Sequence, residues 1–161
     1  MQIQAGTYTN DFAVINTKIT LQGVGGMVHV NNTSGWGLPQ DKGIFVTNTD
    51  VTFENFEISG ALSSSGNGAG IRHQAGNLVV KDSYFHNNQN GILANPNSTA
   101  TVDIQNSEFA FNGNPNGGAG THNIYIGDIA KLTIDNSYFH DITNEFNQIK
   151  SRAAETVITN S

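Results

Sequence analysis

One phrase occurs three times in 161 residues: DSYFHNN at 82–88, NSEFAFN at 106–112 and NSYFHDI at 136–142. Each copy keeps an opening Asn or Asp, a serine after it and a phenylalanine two places further on; the rest drifts. Repetition of this kind belongs to folds built from stacked units, none of which can bury a hydrophobic face alone. It constrains the chain more than any compositional figure.

Aligning the copies on the opening residue brings the preceding segments into register. ITLQG, VTFEN, LVVKD, VDIQN, LTIDN and TVITN end at Gly23, Asn55, Asp82, Asn106, Asn136 and Asn160. Apolar and polar residues alternate within each, the period of a strand with one buried face. The inward pairs are Ile19/Leu21, Val51/Phe53, Leu78/Val80, Val102/Ile104, Leu132/Ile134 and, more weakly, Thr156/Ile158. Alternation resumes past the anchor, turning Phe85, Phe109 and Phe139 inward, with Phe56 and Ile58 as their first-repeat equivalents. Asn and Asp tolerate left-handed backbone, so each anchor suits a sharp bend between two strands. Stacked anchors would form an amide ladder.

A third strand closes each coil: GIFV 43–46, GIRH 70–73, GILA 91–94, NIYI 123–126 and QIKS 148–151. The distance from its central isoleucine (Ile44, Ile71, Ile92, Ile124, Ile149) to the next anchor is nearly constant, whereas the distance from the preceding anchor varies widely. The expectation is an all-β parallel β-helix with three strands per coil, about five complete coils and partial ends. Residues 1–161 read as one such domain, a fragment of a longer helix whose open end rungs would allow self-association.

This pattern resembles the right-handed parallel β-helices of the pectin-lyase-like superfamily over nearly the whole chain. The opening IQAGTYTNDFAVINTKITLQG is similar to the first coils of that superfamily. The resemblance implies a polysaccharide-binding face on the third strand of each coil, flanked by the variable loop, and an extracellular or cell-surface location. No basic stretch followed by an apolar one opens the chain, so no signal peptide is expected within it.

Composition narrows the partners. Charged residues make up only 12%, and the net charge is −6 with seven Lys and Arg, which argues against nucleic acid and anionic membranes. No apolar run approaches the roughly 20 residues that span a bilayer. With no cysteine, disulfides and thiol chemistry are excluded.

Alternation about each central isoleucine predicts three outward rows. The row before it reads Gly43, Gly70, Gly91, Asn123, Gln148; the row after it reads Phe45, Arg72, Leu93, Tyr125, Lys150; the third reads Thr47, Gln74, Asn95, Gly127, Arg152. Three of the seven cations fall on these positions and no Asp or Glu does. In an acidic chain that inversion suits an acidic polysaccharide, whose carboxylates Arg grips in a fork.

Tyr125 and Lys150 are expected one rung apart with Arg152 diagonal to them. Abstraction of a uronate C5 proton needs a cation on the carboxylate, a base and an acid, roles open to Arg152, Lys150 and Tyr125 in that order. Asn123, Gln148, His122, Arg72 and Trp36, the last in the loop SGWGLPQDK, are expected to position substrate. β-Elimination and C5 epimerisation share this first step; the other reading is a non-catalytic structural or glycan-binding solenoid. Glycoside hydrolysis needs a carboxylate pair, and the face carries none. No cofactor is expected. Asp41, Asp50, Asp128 and Glu145 in flanking loops could contribute to a calcium site, but no spacing marks one. His86 and His140 fall two rungs apart, too far for one zinc; His73 has inward parity, and His29 has no nameable partner.

Overall fold

The computed structural model describes residues 1–34, 37–114, 120–144 and 147–161. Its strands form three parallel stacks, and each coil visits them in turn. The first stack runs through Ile19–Asn31, Val51–Glu54, Leu78–Lys81, Asn97–Gln105, Ile129–Asp135 and Glu155–Thr159. The second runs from the far half of Ile19–Asn31 through Phe56–Ser59, Tyr84–His86, Glu108–Ala110 and Tyr138–His140. The third contains Ala13–Ile15, Gly43–Thr47, Ala69–His73, Asn90–Ala94, Ile124–Ile126 and Ile149–Ser151. The strand Gln2–Thr9 lies along both halves of Ile19–Asn31, slipping register between Gln4 and Gly6. The protein is an all-β parallel β-helix.

Each kept residue of the repeated phrase has its own task. Asn55, Asp82, Asn106, Asn136 and Asn160 all adopt positive φ, between 47° and 61°, and the first four make the bend from the first stack to the second. Their side chains ladder in part: Asn136 Nδ2 donates to Asn106 Oδ1 at 2.9 Å and Asn106 Nδ2 to Asp82 Oδ1 at 3.2 Å. The serine forms a second, buried ladder. Ser83, Ser107 and Ser137 each donate to the carbonyl two residues back. Each hydroxyl oxygen also accepts the backbone N–H of the rung before, from Phe56, Ser83 and Ser107 at 3.1–3.2 Å. The phenylalanines stack in the core, with Phe85, Phe109 and Phe139 at 4.8 Å per step and within 5° of parallel.

The first coil departs from the pattern at two places. Its corner is wider, since Gln22 pairs with Glu54 and Val28 with Phe56, leaving five residues where later coils use one. Gly25 and Gly26 carry the positive φ there, not the expected anchor Gly23. Gly23 is required for another reason: a Cβ on it would lie 2.6 Å from the Asn55 carbonyl oxygen.

The third stack is also read one residue out of register in this coil. Phe45, not Ile44, pairs with Ile71. Its ring meets Phe53 at 5.0 Å and Phe56 at 6.2 Å inside the barrel, so packing of a large ring sets the parity. Val46 takes the outward place expected for Phe45, and Asn48 aligns with Gln74 and Asn95 in place of Thr47.

Candidate functional site

Two strands of the third stack, Ile124–Ile126 and Ile149–Ser151, hold the centre of the site. Ile124 pairs with Ile149 and Ile126 with Ser151, and both isoleucines of the first strand are fully buried. Alternation then turns Tyr125 and Lys150 outward as direct neighbours. The Lys150 ammonium lies 4.9 Å from the Tyr125 ring centroid, and the Arg152 guanidinium 5.7 Å from it. Arg152 is exposed; Tyr125 and Lys150 are half-buried. Both cations therefore lie against one aromatic ring, whose quadrupole attracts them. The three expected neighbours do converge outside the barrel on one sheet.

The outward row through Tyr125 reads Val14, Val46, Arg72, Leu93, Tyr125, Lys150. Arg72 is two rungs before Tyr125, beyond a buried Leu93. It bonds through Nη2 to Asn95 Oδ1 at 2.6 Å, a partner not named from sequence. Its Nε is buried with no hydrogen-bond partner. Burial holds its pKa below the ordinary arginine value, opposed by the nearby Tyr125 phenol. Neither this row nor the next (Asn48, Gln74, Asn95, Gly127, Arg152) contains an Asp or Glu.

Three expected substrate contacts lie off these outward rows. Asn123 and Gln148 precede their strands and lie in the bend, where outward parity does not hold. Asn123 is fully buried; its Oδ1 accepts from Asn112 Nδ2 at 2.7 Å, and its Nδ2 reaches the His140 carbonyl at 3.1 Å and Gln148 Oε1. Together with Asn88 and Asn112 it builds an internal amide ladder between the second and third stacks. Asn123 thus spends its amide on the corner, and Gln148 gives its side-chain oxygen to it. His122 is buried at 2% exposure beside Tyr125, with ring centroids 5.9 Å apart and Nδ1 3.2 Å from the Asn147 carbonyl. Desolvation lowers its pKa, the Asn147 carbonyl opposes, and Lys150 adds to the lowering. It packs behind the tyrosine, where desolvation favours its neutral form. Trp36 and Glu145 lie outside the described residues.

The other histidines resolve into structure. His73 is a core residue, with Nδ1 2.7 Å from Thr47 Oγ1 and Nε2 2.8 Å from the Gly76 carbonyl. His29 and His86 both bond Glu57 on the outer face of the second stack, at 2.8 and 3.0 Å. Among the described residues no group of three or more His, Asp or Glu is arranged to hold a metal ion. Asp41 is committed to Ser64, and Asp50 to Lys18 and the Asn77 amide.

Compared with known families, curated proteins and solved structures, the chain matches no family model, no curated protein and no solved structure.

Proposed function

We propose that the protein binds an acidic polysaccharide across the outer face of the third stack. The observation that carries this reading is the clustering of Lys150 and Arg152 on the Tyr125 ring in a chain of net charge −6, on rows without a carboxylate. Arg72 extends the positive face two rungs further. A polyuronate lying along the helix axis would meet one cationic patch at Arg72 and another at Lys150 and Arg152, with Tyr125 between them offering a ring to a sugar face. A location outside the cell, as in pectin-lyase-like proteins, fits such a ligand.

The same cluster supports a second reading, chemistry at C5 of a uronate, because all three groups lie within one sugar's reach. Arg152 would neutralise the carboxylate and Lys150 in its free-base form would take the C5 proton. Tyr125 would give its proton to the C4 oxygen as that bond breaks, leaving an unsaturated uronate. Return of a proton to the opposite face of C5 would instead give the epimer. A solenoid that only holds glycan would use the cations without either outcome.

Isotherms with polygalacturonate and alginate test binding. The parent protein is expected to bind at least one of them, and the double variant Lys150→Ala/Arg152→Ala to lose at least tenfold in affinity, with its thermal unfolding unchanged. Absence of polyuronate binding, or binding indifferent to the double variant, refutes the assignment. Ultraviolet absorbance of unsaturated uronate and deuterium uptake at C5 then separate lyase, epimerase and binding module.

A further inference from the structure

Opposite the cationic face, the bends from the first stack to the second leave a groove of about 570 Å3 running along the helix axis. Its floor is the outer anchor ladder, with Asp82, Asn106 and Asn136 among its members. Each Asn amide carries two N–H donors and an oxygen with two lone pairs, so the ladder bonds leave hydrogen-bonding capacity facing the groove. One wall is aromatic. Tyr84 and Tyr138 line it, with Glu108 on the rung between them.

Both tyrosine rings are held from behind in the same way. Tyr84 stacks on His86 at 4.3 Å and Tyr138 on His140 at 4.2 Å, with the rings within 24° of parallel. The histidines are pinned by Glu57 and Glu108 and do not line the groove. Each tyrosine thus gives one face to its histidine and the other to the groove. The phenylalanines next to them in sequence step 4.8 Å per rung. The two platforms are therefore about 9.6 Å apart, twice the strand spacing.

We infer that this groove is a binding site for a neutral, extended β-1,4-linked glycan. In such a chain alternate sugars present the same face, and their separation is one disaccharide repeat, close to the two-rung spacing of Tyr84 and Tyr138. The apolar C–H face of a sugar packs on each ring, while hydroxyls meet the amide floor and Glu108. Among the described residues no Lys or Arg lines the groove while the carboxylates Asp82 and Glu108 do, so a polyanion is repelled and the occupant differs in charge from that of the cationic face. The inference does not rest on the function proposed for that face.

Titration with cellobiose and cellotetraose, followed by calorimetry and by tyrosine ring NMR signals, tests it. Cellotetraose is expected to shift Tyr84 and Tyr138 together and to bind at least tenfold more tightly than cellobiose, which is too short to reach both rings. Tyr84→Ala and Tyr138→Ala should each weaken cellotetraose about tenfold, and Lys150→Ala should leave it unchanged. Tyr84→Trp/Tyr138→Trp keeps both platforms; it should retain binding and show altered tryptophan fluorescence on titration, which serves if an alanine variant fails to fold. The inference is overturned if cellotetraose gives no shift at millimolar concentration. It is equally overturned if both alanine variants bind as the parent does, or if only a polyuronate moves these tyrosines.

Discussion

Lys150 and Tyr125 are paired across adjacent rungs of the third stack, with the ammonium 4.9 Å from the ring centroid. The ring and the phenol can be separated experimentally. Tyr125→Phe keeps the aromatic ring against which Lys150 and Arg152 lie, so polyuronate affinity should change by no more than about twofold. Tyr125→Ala removes the ring and should weaken binding about fivefold, the scale of an exposed cation–π contact of roughly 0.5–1 kcal/mol. If the phenol delivers a proton, Tyr125→Phe should in addition cut turnover by about 10²-fold or more. Binding isotherms and uronate product assays on the same two variants read both effects.

The aromatic stack makes the sharpest stability test. Phe109 is fully buried between Phe85 and Phe139, 4.8 Å from each. Phe109→Ala opens a hole in the middle of the stack and should cost about 3–5 kcal/mol in urea unfolding. A loss below about 1 kcal/mol would mean that the neighbouring rings close the gap.

Ser107 looks replaceable by size and is not. Its oxygen accepts the buried Ser83 N–H at 3.2 Å while its own hydrogen goes to the Gln105 carbonyl at 2.7 Å. Ser107→Ala strands the Ser83 amide and should cost roughly 1–3 kcal/mol, more than a surface serine does. Amide exchange at Ser83 should accelerate in the variant; unchanged exchange would show that the amide finds another acceptor.

The repeated phrase carried most of this in plain view, because its Asn or Asp, serine and phenylalanine serve the same rung geometry in every coil. The pairing of Tyr125 with Lys150 was legible for the same reason: strict alternation inside Ile124–Ile126 and Ile149–Ser151 leaves one outward place per strand, and the parity carries on past the strand end to Arg152, whose amide still bonds the Ile126 carbonyl. Errors fell where alternation stops or slips. Asn123 and Gln148 sit one residue before their strands, in a corner that takes the Asn123 amide and the Gln148 side-chain oxygen. GIFV matches GIRH as a string, yet the pull of Phe53 and Phe56 on Phe45 shifts the pairing by one and reverses every side chain. The groove wall is not legible in the sequence, because the outward parity of Tyr84 and Tyr138 does not reveal the histidine stacked on each ring.

The histidines should titrate on opposite sides of their ordinary value of 6.5. Desolvation lowers the pKa of His73, so its folded form resists the proton that the unfolded chain accepts. That contribution to stability is complete above about pH 6.5 and is lost as pH falls toward the folded value. Asp141 raises His140, with Glu108 adding to it. Its contribution is complete below about pH 6.5 and is lost as pH rises through the folded value. Imidazole NMR titration should place His73 below 6.5 and His140 above; the reverse order would contradict the buried contacts of the one or the carboxylate contacts of the other.

Among the described residues Phe111 is the least suited to its backbone. Gly60, Asn87, Phe111 and Asp141 all adopt positive φ just past their strands of the second stack, and three of the four are types that tolerate it. Phe111 holds φ 54°, is 45% exposed as a residue, and meets His140 edge-on with ring centroids 5.9 Å apart. Left-handed backbone costs an ordinary L-residue roughly 1–2 kcal/mol, and an exposed ring returns little of that. Phe111→Asn should therefore stabilise the fold by about 1 kcal/mol, since Asn enters this region at lower cost. Phe111→Gly should gain less, because glycine also enlarges the freedom of the unfolded chain. Urea midpoints in the order Asn, Gly, Phe would show that backbone strain decides this corner; a midpoint for Phe111→Asn below the parent's would show that the ring's contact with His140 outweighs it.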